Sequence, residues 1–301
     1  MPHVTSGRAG WLVAAVLALF VIAAVTGVAR GGPLDPPGTP GPTRPQAEPR
    51  VPIGQAPFVI SQPGSYYLTG NLTVSAGSAI TIDAENVTLD LNGFTISGSG
   101  LFGIETSSGT KTNITVRNGS VVGFSSGIVM VEATRSTFED LTVTGSADQG
   151  ILVGGGSILR RLNVFENGAD GVFIDVNGNN YGAILEDSDI SRNASNGVAI
   201  YADNVWVHDC VIDANAGAGI MVNGGYNKIT DNRITRNLNR GVILSGNPSD
   251  QFNVVGHNLI AANTAGVGPF SVQDMGLGNR VPPEVTDPAL TTSNPWANIV
   301  Y

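Results

Sequence analysis

The chain has 301 residues, of which 40 are glycine and only 13% are charged, and its formal net charge is −9. Two lysines and scattered arginines leave no basic stripe, which argues against nucleic-acid binding, and the acidity disfavours a polyanionic substrate. Because Cys210 is the single cysteine, an internal disulfide is excluded, and a chain of this length can bury a core that needs none.

The first 30 residues are predicted to export the chain or to anchor it. Residues 10–29 contain no charged side chain, with Arg8 before them and Arg30 after them. A stretch of this length is about enough to span a bilayer and is long for the apolar part of a signal peptide, whereas the small residues 27–29 suit a signal peptidase. A cleaved signal peptide and a single-pass membrane anchor both remain open, and either delivers the remaining chain outside the cytoplasm.

Residues 31–57 contain nine of the 17 prolines. Proline-rich chain favours the extended polyproline conformation, which advances ~3.1 Å per residue. We therefore expect residues 31–54 to form a semi-rigid linker that holds the following domain away from the membrane.

From residue 58 onwards, valine, isoleucine and threonine alternate with polar residues in short runs typical of β strands. A glycine that opens a Gly-(Ile/Val)-x-aliphatic run recurs every 21 to 26 residues. These ruler glycines are Gly103, Gly127, Gly150, Gly171, Gly197, Gly219 and Gly241, with a degenerate copy near Gly266. A repeat of this length without a helical apolar period predicts a β-solenoid, in which each repeat forms one coil.

Alignment on the ruler glycine sorts the coil into columns. Aliphatic residues stand one residue after it, seven before it and twelve before it, and these columns are expected to stack into a core. The position four residues before it carries asparagine in Asn167, Asn193, Asn215, Asn237 and then Asn263. Each amide is expected to bond to the next one ~4.8 Å away, which makes a ladder at a turn.

These columns and the stretch AITIDAENVTLDLNGFTISG (79–98) resemble the right-handed parallel β-helix, or pectin-lyase-like, family of secreted bacterial proteins. Residues 58–74, FVISQPGSYYLTGNLTV, resemble its opening coil. The resemblance implies an all-β domain of about nine or ten coils over residues 55–270. Residues 55–78 would cap one end, and the tail 271–301 would close the other. It does not set the function, because the family includes lyases, hydrolases, epimerases, tailspikes and non-catalytic adhesins.

If the asparagine turn corresponds to the second turn of that family, the strands around the position twelve before the ruler glycine form the first sheet. The resemblance then puts a substrate groove on this face. Two turn positions beside it are mostly charged, and the candidate catalytic residues there are Glu186, Asp187, Asp209, Asp231, His208 and Arg160. Carboxylates on adjacent coils raise one another's pKa or recruit a cation such as Ca²⁺, and a pair can act as general acid and base. Equally, they can be solvated or form surface ion pairs with Arg160 and Arg161.

Candidate ligand-binding residues flank the same face. Trp206 and Lys228 stand one residue before the inward column and are expected to point outward. The adjoining loops add Asp175, Tyr181, Tyr201, Asp203 and Tyr226. Aromatic rings of this kind stack on sugar rings, and carboxylates bind hydroxyl groups, so the set favours a carbohydrate ligand.

Other chemistry is poorly supported by the sequence. His208 has no second His or Cys at metal-ligand spacing, so no metal centre is predicted. Cys210 falls in an inward column and is read as a buried structural residue. The Gly-His-Gly, paired Asp-Asp and Asp-Pro-His-Glu signatures of enzymes in the resembling family are absent from the chain.

An apolar stripe is predicted on the third sheet, two residues after each ruler glycine. Its members are Val129, Leu152, Phe173, Ala199, Met221 and Ile243. Either the C-terminal tail, with Trp296, Val300 and Tyr301, lies across it, or it is a homo-oligomer or partner interface.

Two functions therefore remain open. The first is an extracytoplasmic β-helix that binds a polysaccharide or serves as a structural or adhesive module at the cell surface. The second is a polysaccharide lyase or glycoside hydrolase that acts on a glycan along the first sheet. The missing enzyme signatures place the binding or structural role ahead of catalysis.

Overall fold

The computed structural model describes residues 50–175, 182–245 and 252–264, together with the backbone of three short strands at 272–274, 284–285 and 298–300. Two compact units divide the chain, Met1–Glu48 and Pro49–Tyr301, and the first lies outside the described residues, as do residues 10–29 and most of the predicted linker. Every regular element in the described part is a β strand. A search of the same part for a helix able to cross a membrane finds none.

The strands stack in parallel as three rows, which we name the first, second and third sheets. The first sheet contains β1 (Val51–Ile53), β3 (Gly64–Leu68), β6 (Val87–Asp90), β15 (Ile158–Arg160), β18 (Ile184–Glu186), β21 (Trp206–His208), β24 (Lys228–Thr230) and β27 (Val254–Gly256). The second contains β4 (Leu72–Val74), β7 (Thr95–Gly98), β16 (Asn163–Phe165), β19 (Asp189–Ser191), β22 (Val211–Asp213), β25 (Arg233–Thr235), β28 (Leu259–Ala261) and β31 (Asn298–Val300). The longer strands β10 (Ile114–Val122) and β13 (Thr137–Thr144) run through both, and β30 (Glu284–Val285) pairs with β31.

The third sheet is separate. It contains β2 (Phe58–Ile60), β5 (Ile80–Ile82), β8 (Phe102–Thr106), β11 (Ser126–Met130), β14 (Ile151–Gly154), β17 (Val172–Asp175), β20 (Val198–Ile200), β23 (Ile220–Val222), β26 (Val242–Leu244) and β29 (Val272–Asp274). A small pair, β9 (Lys111–Thr112) and β12 (Ala133–Thr134), lies apart from these sheets. The predicted all-β parallel solenoid, right-handed and of about nine turns, is confirmed.

The core is the stack of predicted aliphatic columns. Phe138 pairs with Leu159, and that register continues through Leu185 and Val207 to Ile229, all fully buried. The ruler glycines are explained by close approach between coils. A Cβ on Gly150 would lie 2.7 Å from Nδ2 of Asn167 and 2.7 Å from the carbonyl oxygen of Gly171, so any larger residue there would separate the coils.

The predicted asparagine ladder is present and buried. The Nδ2 of Asn193 donates to Oδ1 of Asn215 at 3.0 Å, and Asn215 donates in the same way to Asn237 at 2.9 Å. Two further polar ladders were not predicted. In one, Asn232 donates to Asn258 at 3.0 Å, and in the other the backbone N–H of Asn227 donates to Asn253. The column of Cys210 is thus a polar ladder in these coils and not an aliphatic stack.

Three predicted boundaries differ from the structure. The first strand, Val51–Ile53, pairs with Tyr66–Leu68, so regular coil begins inside the range predicted as linker. Val242 pairs with Val272, which places the last ruler position after residue 266, because the final coil is longer than the period of the earlier ones.

The backbone of Asn298–Val300 extends the second sheet by pairing with Leu259 and Ile260. The tail therefore caps the coil end as predicted, but the prediction that Val300 lies across the apolar stripe is wrong, because an unpaired sheet end offers its backbone groups a partner that a side-chain surface cannot. Trp296 and Tyr301 lie outside the described residues.

The apolar stripe faces outward on the third sheet, but its side chains are only half-exposed. Ala199 is buried, since the larger side chains of the coils on either side stand above it. Phe173 in the same stripe stacks against Tyr201, with ring centroids 5.0 Å apart and planes 12° apart. The stripe is a partly self-packed surface.

Candidate functional site

Trp206 lies at the start of β21 on the outer face of the first sheet and is 36% exposed. Its Nε1 donates a hydrogen bond to Oγ1 of Thr230 on the next coil at 3.1 Å. The His208 ring stacks on the indole with centroids 3.9 Å apart, and the Lys228 ammonium lies 4.3 Å from the indole centroid. Thr230, expected to be an outward turn residue, is buried because the indole bonds to it.

Tyr226 and Phe252 extend this surface along the coil axis. Their ring centroids are 5.4 Å apart, and they are 53% and 54% exposed. Lys228 pairs with Val254, so each ring stands two residues before the first-sheet register, one coil apart. Among the described residues, the exposed aromatic side chains are Trp206, Tyr226 and Phe252. We name these three residues the aromatic platform.

The opposite ends of the same strands carry titratable groups. The His208 imidazole lies between two carboxylates, with Nε2 3.3 Å from Oε2 of Glu186 and Nδ1 2.7 Å from Oδ2 of Asp209. Asp187 is exposed at the turn one coil earlier. An imidazole held between two carboxylates can exchange protons with a ligand, which is the chemistry expected of a general acid or base.

A second carboxylate–imidazole pair lies on the following coils. Nδ1 of His257 forms a hydrogen bond with Oδ1 of Asp231. Burial raises the pKa of Asp231, but hydrogen bonds from His257 and Thr230 and the charges of His257 and Lys228 outweigh it and lower the pKa below its usual value. Asp231 is therefore ionised at neutral pH and oriented by its neighbours.

A shallow groove of about 380 Å³ opens beside this pair, at the corner where the first sheet turns into the second. We name it the corner groove. It is lined by Asp209, Asp231, Asn232, Arg233, His257, Asn258 and Leu259.

The earlier coils carry ion pairs at the same turn. Arg160 Nη2 lies 2.6 Å from Oε2 of Glu139, and Arg161 Nε lies 2.7 Å from Oδ1 of Asp140. The hydrogen bond from Arg161 lowers the pKa of Asp140 despite some burial. Arg160 thus has an ion-pair partner and lies away from the corner groove, which matches the alternative reading of the charged turn for these two coils.

The structure does not gather all predicted ligand-binding residues. Tyr201 stacks on Phe173 over the third sheet and not beside the first. Oδ1 of Asp203 accepts a hydrogen bond from the backbone N–H of Gly225 at 2.7 Å, so it orders a loop. Asp175 ends a strand of the third sheet, and Tyr181 lies outside the described residues. The reason is that the loops leaving the third sheet differ in length from coil to coil.

Neither Cys210 nor a metal centre supplies chemistry here. Burial raises the pKa of the Cys210 thiol to about 12, and its S–H donates to the backbone carbonyls of His208 and Leu185. The described residues contain no group of three or more His, Cys, Asp or Glu side chains arranged to hold a metal ion.

Sequence reasoning missed Phe252, His257 and Arg233. Phe252 and His257 occupy the same register positions as Asn204 and Asp209 two coils earlier. The coil that contains them is 26 residues from the preceding one in the first sheet, as Thr230 pairs with Gly256, so counting at a period of 22 places them one coil column out. An alignment that allowed variable loop length would have found both.

The coils, the polar ladders and the first-sheet surface define a right-handed parallel β-helix. The model of the family described as the right handed beta helix region matches residues 60–181 and 149–273, and the chain belongs to this family. Among curated proteins, no sequence matches the chain significantly.

Several solved structures share the fold. The Dettilon tailspike protein (gp208) is 14% identical with a TM-score of 0.63, covering 83% of this chain and 61% of its own. The alginate lyase from Paenibacillus sp. str. FPU-7 is 14% identical with a TM-score of 0.60, covering 83% of this chain and 97% of its own. A mutant of the periplasmic alginate epimerase AlgG is 15% identical with a TM-score of 0.50, covering 83% and 77%. This chain spans less than two thirds of the tailspike it matches, and at these identities the likeness establishes the fold alone.

Proposed function

We propose that this chain is an extracytoplasmic β-helix that binds a neutral or weakly charged glycan across its first sheet, as a cell-surface binding or adhesive module. The observation that carries the proposal is the aromatic platform, in which the exposed aromatic side chains of the described residues meet on three successive coils. Exposed rings in a row offer apolar faces to sugar rings, and dispersed exposed aromatics do not.

The charges around the platform favour a neutral ligand. Carboxylates of Glu186, Asp187, Asp209 and Asp231 line the turn, against the cations Lys228 and Arg233. Such a balance repels a polyuronate, whereas carboxylates accept hydrogen bonds from the hydroxyl groups of a neutral sugar. Structural neighbours titled a tailspike and an alginate lyase make a glycan ligand consistent with the fold.

The cellular location rests on the N-terminal sequence. An apolar segment at residues 10–29 followed by a proline-rich linker is typical of an exported, surface-anchored domain. A fusion of residues 1–57 to a reporter that is active only outside the cytoplasm tests this. Reporter activity in the membrane fraction indicates an anchor, activity in the medium indicates cleavage, and a cytoplasmic reporter contradicts export.

Glycan-array screening of the full-length protein tests the ligand class. Trp206→Ala and Phe252→Ala are each expected to weaken binding of a neutral array hit at least ~10-fold, which corresponds to about 1.4 kcal/mol. Phe165→Ala is the matched control, because that ring lies on the second sheet beneath Arg192. Equal binding by all three variants would show that the platform does not bind the glycan.

Catalysis on the same glycan is the second candidate, favoured by the placement of His208 between Glu186 and Asp209. An array hit incubated with the protein should then release reducing ends or unsaturated sugar, and Asp209→Asn and Asp187→Asn should each reduce that rate. Binding without any released product over prolonged incubation would assign the protein to the non-catalytic class.

A further inference from the structure

The corner groove combines the groups that a sugar residue needs. Arg233 supplies several N–H donors, the carboxylates of Asp209 and Asp231 supply acceptors, and Leu259 supplies an apolar edge. A sugar presents hydroxyl groups that both donate and accept, together with an apolar ring face, so a mixed lining of this kind fits it better than a purely charged or apolar one.

His257 is held for interaction with a ligand by one ring nitrogen. Its Nδ1 is bonded to Asp231, which the low pKa of that carboxyl keeps ionised at neutral pH. An ionised acceptor keeps the proton on Nδ1 and leaves Nε2 as the second polar atom of the ring. The His257 ring is therefore oriented before a ligand arrives.

The floor of the groove is rigid. Nδ2 of Asn232 donates to Oδ1 of Asn258 at 3.0 Å, and Nδ2 of Asn258 donates to the carbonyl oxygen of Ile229 at 2.9 Å. Because these buried amides are engaged in the ladder, they fix the groove walls and leave Arg233, Asp209 and the Asp231–His257 pair to contact a ligand.

The groove and the aromatic platform flank the same strands. Tyr226 precedes β24 and Asp231 follows it, so the strand separates them by ~10 Å at ~3.3 Å per residue. One hydrogen-bond chain also crosses this distance, since Nε1 of Trp206 donates to Thr230 and the Thr230 side chain bonds Asp231. A short oligosaccharide can therefore contact both surfaces.

We propose that the corner groove is a second saccharide subsite, which takes one neutral sugar residue of the bound glycan through Arg233, Asp209 and the Asp231–His257 pair. The inference rests on the proposed glycan-binding function. It adds a binding surface beyond the first sheet and couples that surface to Trp206 through Thr230.

Saturation-transfer-difference NMR on the full-length protein tests the subsite with single sugars, which are too small to need the platform. The probes are the methyl glycosides of glucose, galactose, mannose and N-acetylglucosamine, with methyl glucuronide as the charged counterpart. A neutral glycoside is expected to receive saturation from the wild-type protein and from the Trp206→Ala/Phe252→Ala variant, and to lose at least ~80% of it in Arg233→Ala and in His257→Gln. The loss reflects removal of contacts worth over about 1 kcal/mol.

Asp189→Asn is the matched control, because Asp189 occupies the register position of Arg233 two coils earlier. Circular-dichroism melting confirms that each variant is folded, and Arg233→Lys provides a second substitution should Arg233→Ala unfold. Signal that persists in both groove variants, signal for methyl glucuronide alone, or no signal from any neutral glycoside would overturn the subsite. Glycan-array binding that depends on Trp206 and Phe252 would survive that result, so the two proposals fail separately.

Coupling to the platform is read from Trp206 emission in a Trp11→Phe/Trp296→Phe background. The glycoside that binds is expected to shift this emission by several nanometres in the background protein and in Thr230→Ser, which keeps the hydroxyl group. Thr230→Val should abolish the shift while saturation transfer persists. An unchanged shift in Thr230→Val would disprove the coupling.

Discussion

The turn between the first and second sheets has the same backbone in every coil but opposite chemistry at its two ends. In the earlier coils, Arg160 and Arg161 neutralise Glu139 and Asp140 on the neighbouring coil. In the later coils, histidines replace the arginines, so Asp209 and Asp231 face groups that are not permanently charged.

The backbone equivalence is seen in the residue that enters the turn. Its φ is 54° at Asp140, 51° at Arg161, 53° at Asp209 and 62° at Asp231, a left-handed conformation that Asp tolerates well. The comparison teaches that the fold supplies equivalent positions and that side-chain choice alone separates a structural edge from a candidate binding edge.

The largest expected effect tests the frame that both ends share. Asn215→Ala removes a buried amide that bonds both neighbouring coils, and we expect a loss of about 2–4 kcal/mol in the free energy of unfolding because unsatisfied partners stay buried. Urea denaturation measures it. Exposed Asn223→Ala is the control, and an equal loss in both would show that the ladder contributes no special stability.

A large effect is also expected if the apolar stripe is an interface between copies. Phe173→Glu places a charge at the centre of the stripe and should weaken association at least ~10-fold, about 1.4 kcal/mol. Light scattering across a concentration series gives the molar mass. A wild-type chain that is monomeric throughout would exclude the homo-oligomer.

A moderate effect distinguishes the two ends of the turn. His208→Ala should weaken glycan binding ~3- to 10-fold because the indole of Trp206 loses its stacked neighbour, whereas Arg160→Ala should leave binding unchanged and lower stability by up to about 1 kcal/mol. Titration calorimetry with the array hit and thermal melting measure the two quantities. The reverse pattern would contradict the assignment of the later coils to binding.

The smallest effect concerns pH. Burial raises the pKa of Asp213, but hydrogen bonds from Arg236 and Thr235 outweigh it, so the folded-state pKa lies below the usual value. Its ionised form thus stabilises the fold above the unfolded-state pKa of about 3.9, and this contribution disappears as the pH falls through the lower folded value. Asp213→Asn should cost about 1 kcal/mol at pH 7 and progressively less below pH ~4. A difference independent of pH would contradict the ionised role.

Much of the fold was predictable because it repeats. The ladder Asn193–Asn215–Asn237 and the buried column from Phe138 to Ile229 follow from spacing alone, since a solenoid converts sequence period directly into spatial neighbours. The candidate site was predicted only in part. Trp206, His208 and Asp231 were found, but Phe252 and His257 were hidden by a longer coil, and Tyr201 was assigned to the wrong sheet.

The sequence by itself determined the parallel β-helix, the buried columns and the charged turn, because each of these depends on residues one coil apart in a fixed pattern. Only the tertiary structure decided which outward residues meet. It brought Tyr226 to Phe252, buried Thr230 beneath Trp206, and paired Val300 with Ile260 at the coil end. The physical reason is that loop length and side-chain direction vary from coil to coil, whereas the hydrogen-bond register between coils does not.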